Sequence, residues 1–155
     1  MSVASRLAEL GLRLPEVPTP VAAYLPAVRS GKYVYTSGQL PLVDGVLQAK
    51  GKVGEGEGLV SPEEAYQAAR TCALNALAAV ASVSGGLDQV ARVVKLVGFV
   101  ASDPSFTGQP AVVNGASELL GEILGDAGRH ARSAVGVAAL PLDAPVEVEL
   151  VVELH

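Results

Sequence analysis

Cysteine occurs once in this chain, histidine twice and tryptophan never. The lone Cys72 excludes an intrachain disulfide framework and a cysteine metal cluster. Placed among apolar residues at helical spacing, it reads as a small buried hydrophobe, which suits a reducing, cytoplasmic setting. His130 and His155 stand far apart, so neither zinc-ligand spacing nor a Ser-His-Asp set is in reach within one subunit. Aromatics make up only 4% of the residues, which leaves little to stack on bases, and the net charge of -5 comes with no run of Lys or Arg to meet phosphates. Nucleic acid is therefore not an expected partner. No uncharged apolar window is long enough for a membrane span, and Met1 to Leu14 lacks the features of a secretory signal, so a soluble protein is expected. The glycine-rich stretch Gly51 to Gly58 lacks the Gly-Lys-Ser/Thr of a phosphate loop; no cofactor and no metal are expected.

Half of the residues are apolar, enough for one substantial core built mainly from Ala, Val and Leu. Residues 1–19 read as a short amphipathic helix, Met1 to Leu14, and a proline-rich connector; residues 20–155 read as a single domain. Val21 to Arg29 and Lys32 to Leu40 suggest two strands joined at Ser30-Gly31, the second interrupted at Thr36-Ser37-Gly38-Gln39. Asp44-Gly45 marks a tight turn, and Gly51 to Gly58 reads as a mobile linker. Ser61-Pro62-Glu63-Glu64 carries an N-cap, a first-turn proline and a capping-box glutamate, opening a helix that runs to Gly85-Gly86. Arg92 to Ala101 is a buried strand, Pro110 to Leu124 a second helix, and two strands follow. The order predicts an α+β domain: a mixed sheet with helices on one face. The other face lacks cover, which predicts a homo-oligomer whose sheets pack around a shared interior.

The residue that asks most for an explanation is Arg132, at the entrance to the apolar stretch Ala131 to Val137. Leu140-Pro141-Leu142-Asp143 reads as a turn that returns Val146 to Leu150 beside it, so that Glu147 would sit near the mouth of a hairpin. Two readings are open. Arg132 is either half of an ordinary ion pair at a strand end or, with its fork of donors, the seat of a small carboxylate. Glu147 and Glu149 share one face of their strand, and either a solvated polar surface or a pairing with Arg132 accounts for them. His130 reads as a surface loop residue or as a group able to tune a bound anion.

The ordered set of Tyr24, Thr36-Ser37-Gly38-Gln39-Leu40-Pro41, Phe99-Val100 followed by Phe106, Val113-Asn114, Ala131-Arg132-Ser133, Leu140-Pro141 and Val146-Glu147-Val148-Glu149 resembles the RidA family, also called YjgF or L-PSP endoribonuclease. The match spans about Pro20 to Glu153. It implies a chorismate-mutase-like subunit, two helices on one face of a mixed sheet, in a homotrimer with clefts between subunits. In such a cleft the arginine matching Arg132 grips a substrate carboxylate. Tyr24, Ser37, Gly38 and Asn114 match positions that line it, and Glu147 matches a glutamate that positions or activates water.

The resemblance implies a cofactor-free enamine/imine deaminase that hydrolyses small 2-imino acids to 2-oxo acids and ammonia. The alternatives are a non-catalytic trimer that binds a small metabolite carboxylate in the same cleft, and the endoribonuclease or translation-inhibitor activity of the family's older name. The chain departs from the family's pattern at Ala134, where many members have cysteine; at His130, where the common residue is proline; and at Ser117, where an aromatic is expected. The N-terminal helix and the long excursion from Asp44 to Gly58 resemble a longer subgroup.

Overall fold

The computed structural model describes residues 1–19 and 21–155; Pro20, the last residue of the connector, lies outside them. The first helix, α1 (Val3–Glu9), is shorter than the expected Met1 to Leu14. Ser2 caps its start, and Gly11 at φ 69° turns the chain away soon after its end. Leu7 is buried, and Leu10, Leu12 and Leu14 pack against the core as the chain leaves the helix.

β1 (Ala27–Ser30) and β2 (Tyr33–Thr36) form the expected hairpin across Ser30-Gly31, but β1 starts six residues later than Val21. Pro26 lacks an N–H for the ladder; its carbonyl instead accepts from the Ser37 N–H at 2.8 Å. β3 (Leu42–Val43) and β4 (Val46–Leu47) make a separate small hairpin, with Asp44 at φ 50° and Gly45 at φ 79° supplying the positive angles its turn needs. The expected mobile linker is stitched down. Val53 is fully buried, donates to the Ala101 carbonyl at 2.7 Å and accepts from the Asp103 N–H at 2.9 Å. Two buried valines, Val53 and Val60, outweigh the freedom of the glycines around them.

α2 (Pro62–Ser84) begins as its chemistry dictates: the Ser61 hydroxyl accepts from the Glu64 N–H at 3.1 Å, and Gly85, at φ 82°, ends it. Its buried stripe is small, Ala65, Ala69, Cys72, Ala73 and Ala76 leading to Leu77 and Val80. The second long helix, α3 (Gln109–Leu124), buries Val112, Val113, Ala116, Leu119, Leu120 and Ile123. Between the two helices in sequence lies β5 (Val90–Ala101); after α3 come β6 (Ala131–Val137) and β7 (Val146–Leu154).

The main sheet has the order β1-β2-β7-β5-β6. This overturns the hairpin expected of the last two strands: β5 lies between β6 and β7. β6 runs parallel to β5, and α3 is the crossover that parallel pairing requires; β7 runs antiparallel to both β5 and β2. Leu140 to Asp143 is thus not a hairpin turn. It forms a short 3₁₀ turn (Pro141–Asp143), with Leu142 and Asp143 at φ 59° and 62°, that carries the chain past the end of β5. β7 alternates strictly, Val146, Val148, Leu150, Val152 and Leu154 facing the helices and Glu147, Glu149, Val151 and Glu153 facing away.

Glycines let α3 sit close to the sheet on one side and to α2 on another. A Cβ on Gly98 would lie 2.6 Å from both methyl groups of Val113, and one on Gly115 would run into the Tyr66 carbonyl of α2. Among the described residues no helix covers the opposite face. Val28, Tyr35 and Val135 are 50%, 50% and 44% exposed there, beside the half-buried Val97, Phe99 and Val151.

Gly98→Ala should cost about 1–3 kcal/mol by overpacking a fully buried contact. Adding Val113→Ala should cost less in the Gly98→Ala background than in wild type, because the two share one volume. Urea unfolding of the four proteins checks this; strict additivity would show that the Gly98–Val113 contact does not set the helix-to-sheet distance.

Candidate functional site

Register separates the expected site residues into two groups. Arg132 pairs with Leu96 of β5, and Leu96 pairs with Leu150 of β7, so the Arg132 side chain leaves the sheet on the helix-covered face. Glu147 pairs with Phe99 and leaves on the open face. With β5 between their strands, the two are about two strand spacings, roughly 10 Å, apart across the sheet, a further three residues, roughly 10 Å, apart along it, and on opposite sides of it. No ion pair joins them, and Arg132 forms none with any described residue. The strand-end ion pair considered for Arg132, and its pairing with Glu147, are both absent from the described structure.

What holds Arg132 is α3. Its Nη1 donates to Asn114 Oδ1 at 2.7 Å and to Ser117 Oγ at 3.2 Å. Asn114 and Ser117 are three residues apart and so share one face of the helix, above the edge strand β6. A guanidinium has five N–H donors, two of them on Nη1. Both Nη1 hydrogens are committed to these neighbours. Nε and Nη2 make no hydrogen bond to a described residue, and they form the side of the guanidinium that matches two carboxylate oxygens.

Behind this arginine stands a contact that the sequence did not reveal. The Ser117 hydroxyl is 2.9 Å from His130 Nε2, and His130 Nδ1 is 2.6 Å from the Gly128 carbonyl. A carbonyl can only accept, so Nδ1 carries a proton, and in the neutral ring Nε2 accepts from Ser117. His130 and Ser117 are thirteen residues apart and share no motif. The available signal was that both positions depart from the family's pattern.

The open-face group is assembled around a glycine. A Cβ on Gly38 would come within 2.7 Å of the Glu147 carboxyl carbon, so the carboxylate lies against bare backbone. The break after β2 is fastened: the Ser37 hydroxyl donates to the Leu25 carbonyl at 2.6 Å, and Gln39 rejoins β7 by exchanging backbone hydrogen bonds with Val148. Tyr24, next to Leu25, is 63% exposed. Thus Ser37, Gly38 and Glu147 come together, with Tyr24 at the margin, while Arg132 and Asn114 come together elsewhere. Among the described residues no three His, Cys, Asp or Glu side chains gather as metal ligands, and no helix is long and apolar enough to cross a membrane.

Loss of water around Glu147, with the nearby charge of Glu149 adding to it, raises its carboxyl above the ordinary range. Burial likewise pushes the Cys72 thiol well up, with the charge of Glu147 contributing. Because the folded chain holds the Glu147 proton more tightly than the unfolded chain, the associated stability is present at low pH. It is lost as pH rises from the ordinary carboxylate range through the raised value. Glu147→Gln should therefore raise the melting temperature at pH 7 relative to wild type, with a smaller gain near pH 4 and a smaller gain at pH 7 when Glu149→Gln is already present. Equal gains at both pH values would show that the carboxyl is not strained by its surroundings.

Comparison with known proteins identifies the family of the chain. Residues 4–154 match the family model described as "YjgF/chorismate_mutase-like, putative endoribonuclease". Protein TCP17 of Trypanosoma cruzi is 46% identical over 154 residues, covering 99% of this chain and 94% of that one. The solved structure of Atu1372 from Agrobacterium tumefaciens, described as a protein of unknown function, is 44% identical, with a TM-score of 0.89 over 99% of this chain and 92% of that one. E. coli TdcF, solved with bound serine, is 23% identical and shares the fold, with a TM-score of 0.64 over 90% of this chain and 94% of that one. On that identity and coverage the chain belongs to the YjgF, or RidA, family.

Proposed function

We propose that this protein hydrolyses small 2-imino acids to the 2-oxo acid and ammonia in a cleft that two copies of the chain build together. The observation that carries the reading is the state of Arg132: Nη1 is held by Asn114 and Ser117, and the Nε and Nη2 donors are free to take a carboxylate in two parallel hydrogen bonds. The serine bound to TdcF is a small amino acid with such a carboxylate.

The chemistry asks little of the protein. The C=N carbon of a 2-imino acid is already electrophilic. Water adds to that carbon, its two protons pass in turn from the added oxygen to nitrogen, and the C–N bond breaks as ammonia leaves and the carbonyl forms. Fixing the carboxylate removes rotational freedom from the substrate. A carboxylate of raised proton affinity, as Glu147 is, suits the proton transfers, since it takes a proton more readily than an ordinary surface glutamate.

One chain holds Arg132 and Glu147 on opposite faces, so a neighbour must bring the missing half. The apolar open face around Tyr35 and Val135 supports assembly, and a homotrimer closes it with three equivalent clefts. RNA cleavage, suggested by the family's description, finds no support in the net charge of -5 or the scarcity of aromatics.

Wild type should accelerate the decay of enzymatically generated 2-iminobutyrate over a protein-free control, and Arg132→Ala should lose on the order of 100-fold in kcat/KM. No acceleration by wild type would exclude turnover of this substrate. Saturable binding of 2-oxobutyrate without turnover would instead identify a carboxylate-binding regulatory protein.

A further inference from the structure

The structure assigns His130 and Ser117 as positioning residues that fix the plane of the Arg132 guanidinium and so decide which of its edges meets the ligand. This inference rests on the reading of Arg132 as the carboxylate clamp.

Its basis is the direction of each hydrogen bond. With the imidazole neutral, the Gly128 carbonyl accepts from His130 Nδ1 at 2.6 Å, His130 Nε2 accepts from the Ser117 hydroxyl at 2.9 Å, and Ser117 Oγ accepts from Arg132 Nη1 at 3.2 Å. Every donor in the line points away from the arginine. Ser117 uses its one hydrogen on His130, which leaves an oxygen lone pair for Nη1. A hydroxyl alone can rotate; one held by an imidazole cannot turn its hydrogen toward the guanidinium.

The far end of the line is also fixed. Gly128 is buried, and a Cβ there would overlap the Leu120 carbonyl of α3, so this turn lies directly on the helix that carries Ser117. The His130 ring is therefore anchored to α3 at both ends, through Gly128 against Leu120 and through Ser117. Asn114 Oδ1 takes the second Nη1 hydrogen at 2.7 Å. Two acceptors on one nitrogen set the guanidinium plane, leaving the Nε and Nη2 edge for the ligand.

His130 and Ser117 are thus one unit. A proline ring in place of His130 could not accept from Ser117, and a phenylalanine in place of Ser117 could neither accept from Arg132 nor donate to His130. The two departures from the family's common pattern meet in one hydrogen bond.

The test uses the full-length chain with 2-oxobutyrate as the probe, its dissociation constant measured by calorimetry beside the melting temperature of each variant. Ser117→Ala and His130→Ala should each weaken binding about tenfold, as expected for loss of a hydrogen bond acting on a charged group. Ser117→Ala/His130→Ala should weaken it no more than either alone. His130→Gln, whose amide can donate to Gly128 and accept from Ser117, should recover most of the affinity, and it keeps the test open if His130→Ala does not fold. In an Arg132→Ala background, none of these changes should have a further effect. If Arg132→Ala weakens binding and the Ser117 and His130 variants do not, the positioning role is wrong and the clamp stands. Equal losses with and without Arg132 would make the pair a direct contact or a structural prop. Full affinity in Arg132→Ala would remove the clamp and this inference with it.

Discussion

The short distance between α3 and the sheet is the constraint on which the Arg132 group depends. Gly98 leaves room for Val113 where any side chain on β5 would push the helix outward, and Gly115 does the same against the backbone of α2. Asn114 lies between those two contacts in sequence and Ser117 one turn beyond it. Both reach a guanidinium that rises from the neighbouring strand only because the helix has come down that far. A few tenths of an ångström of lift would stretch the 3.2 Å hydrogen bond to Ser117 beyond useful geometry, while the 2.7 Å bond to Asn114 would survive it.

Strand alternation is the second organising fact. The same period of two that buries Val146, Val148 and Leu150 under the helices sends Glu147 and Glu149 to the far side. Arg132, in line with Leu96 and Leu150, goes to the near side. No side-chain rotation reconciles them, because a sheet lies in between. A chain that needs both groups on one ligand needs a second copy, and the same open face that receives Glu147 also carries exposed Tyr35, Val28 and Val135. In the proposed cleft, assembly and chemistry share one surface.

Local chemistry was legible in the sequence, tight hairpins included, and the pairing of strands distant in sequence was not. Ser61, Pro62 and Gly85 bound α2 through interactions within a turn of the chain, and Asp44-Gly45 bends β3 into β4 by its own backbone angles, so a reader of residues finds both. The partner of β6 depends instead on which strand occupies the middle of the sheet. Nothing in Leu140-Pro141-Leu142-Asp143 says that β5 will be there. The grouping of Asn114 with Arg132 came from an ordered resemblance to a family, and their hydrogen bond gives it a physical cause. The contact between His130 and Ser117 escaped because packing, and no motif, creates it. In Gly51 to Gly58 the glycines drew attention, while Val53 determined the outcome.

Cys72 has one more consequence. It is fully buried in α2, 3.6 Å from the Val146 carbonyl of β7, and it is the chain's sole thiol. Its raised proton affinity makes the sulfur a poor nucleophile even for a reagent that reaches it. A thiol-labelling reagent can therefore modify the protein only when α2 separates from the sheet. The rate of that single modification is a clock for opening of the core beside Glu147, built in without any added label.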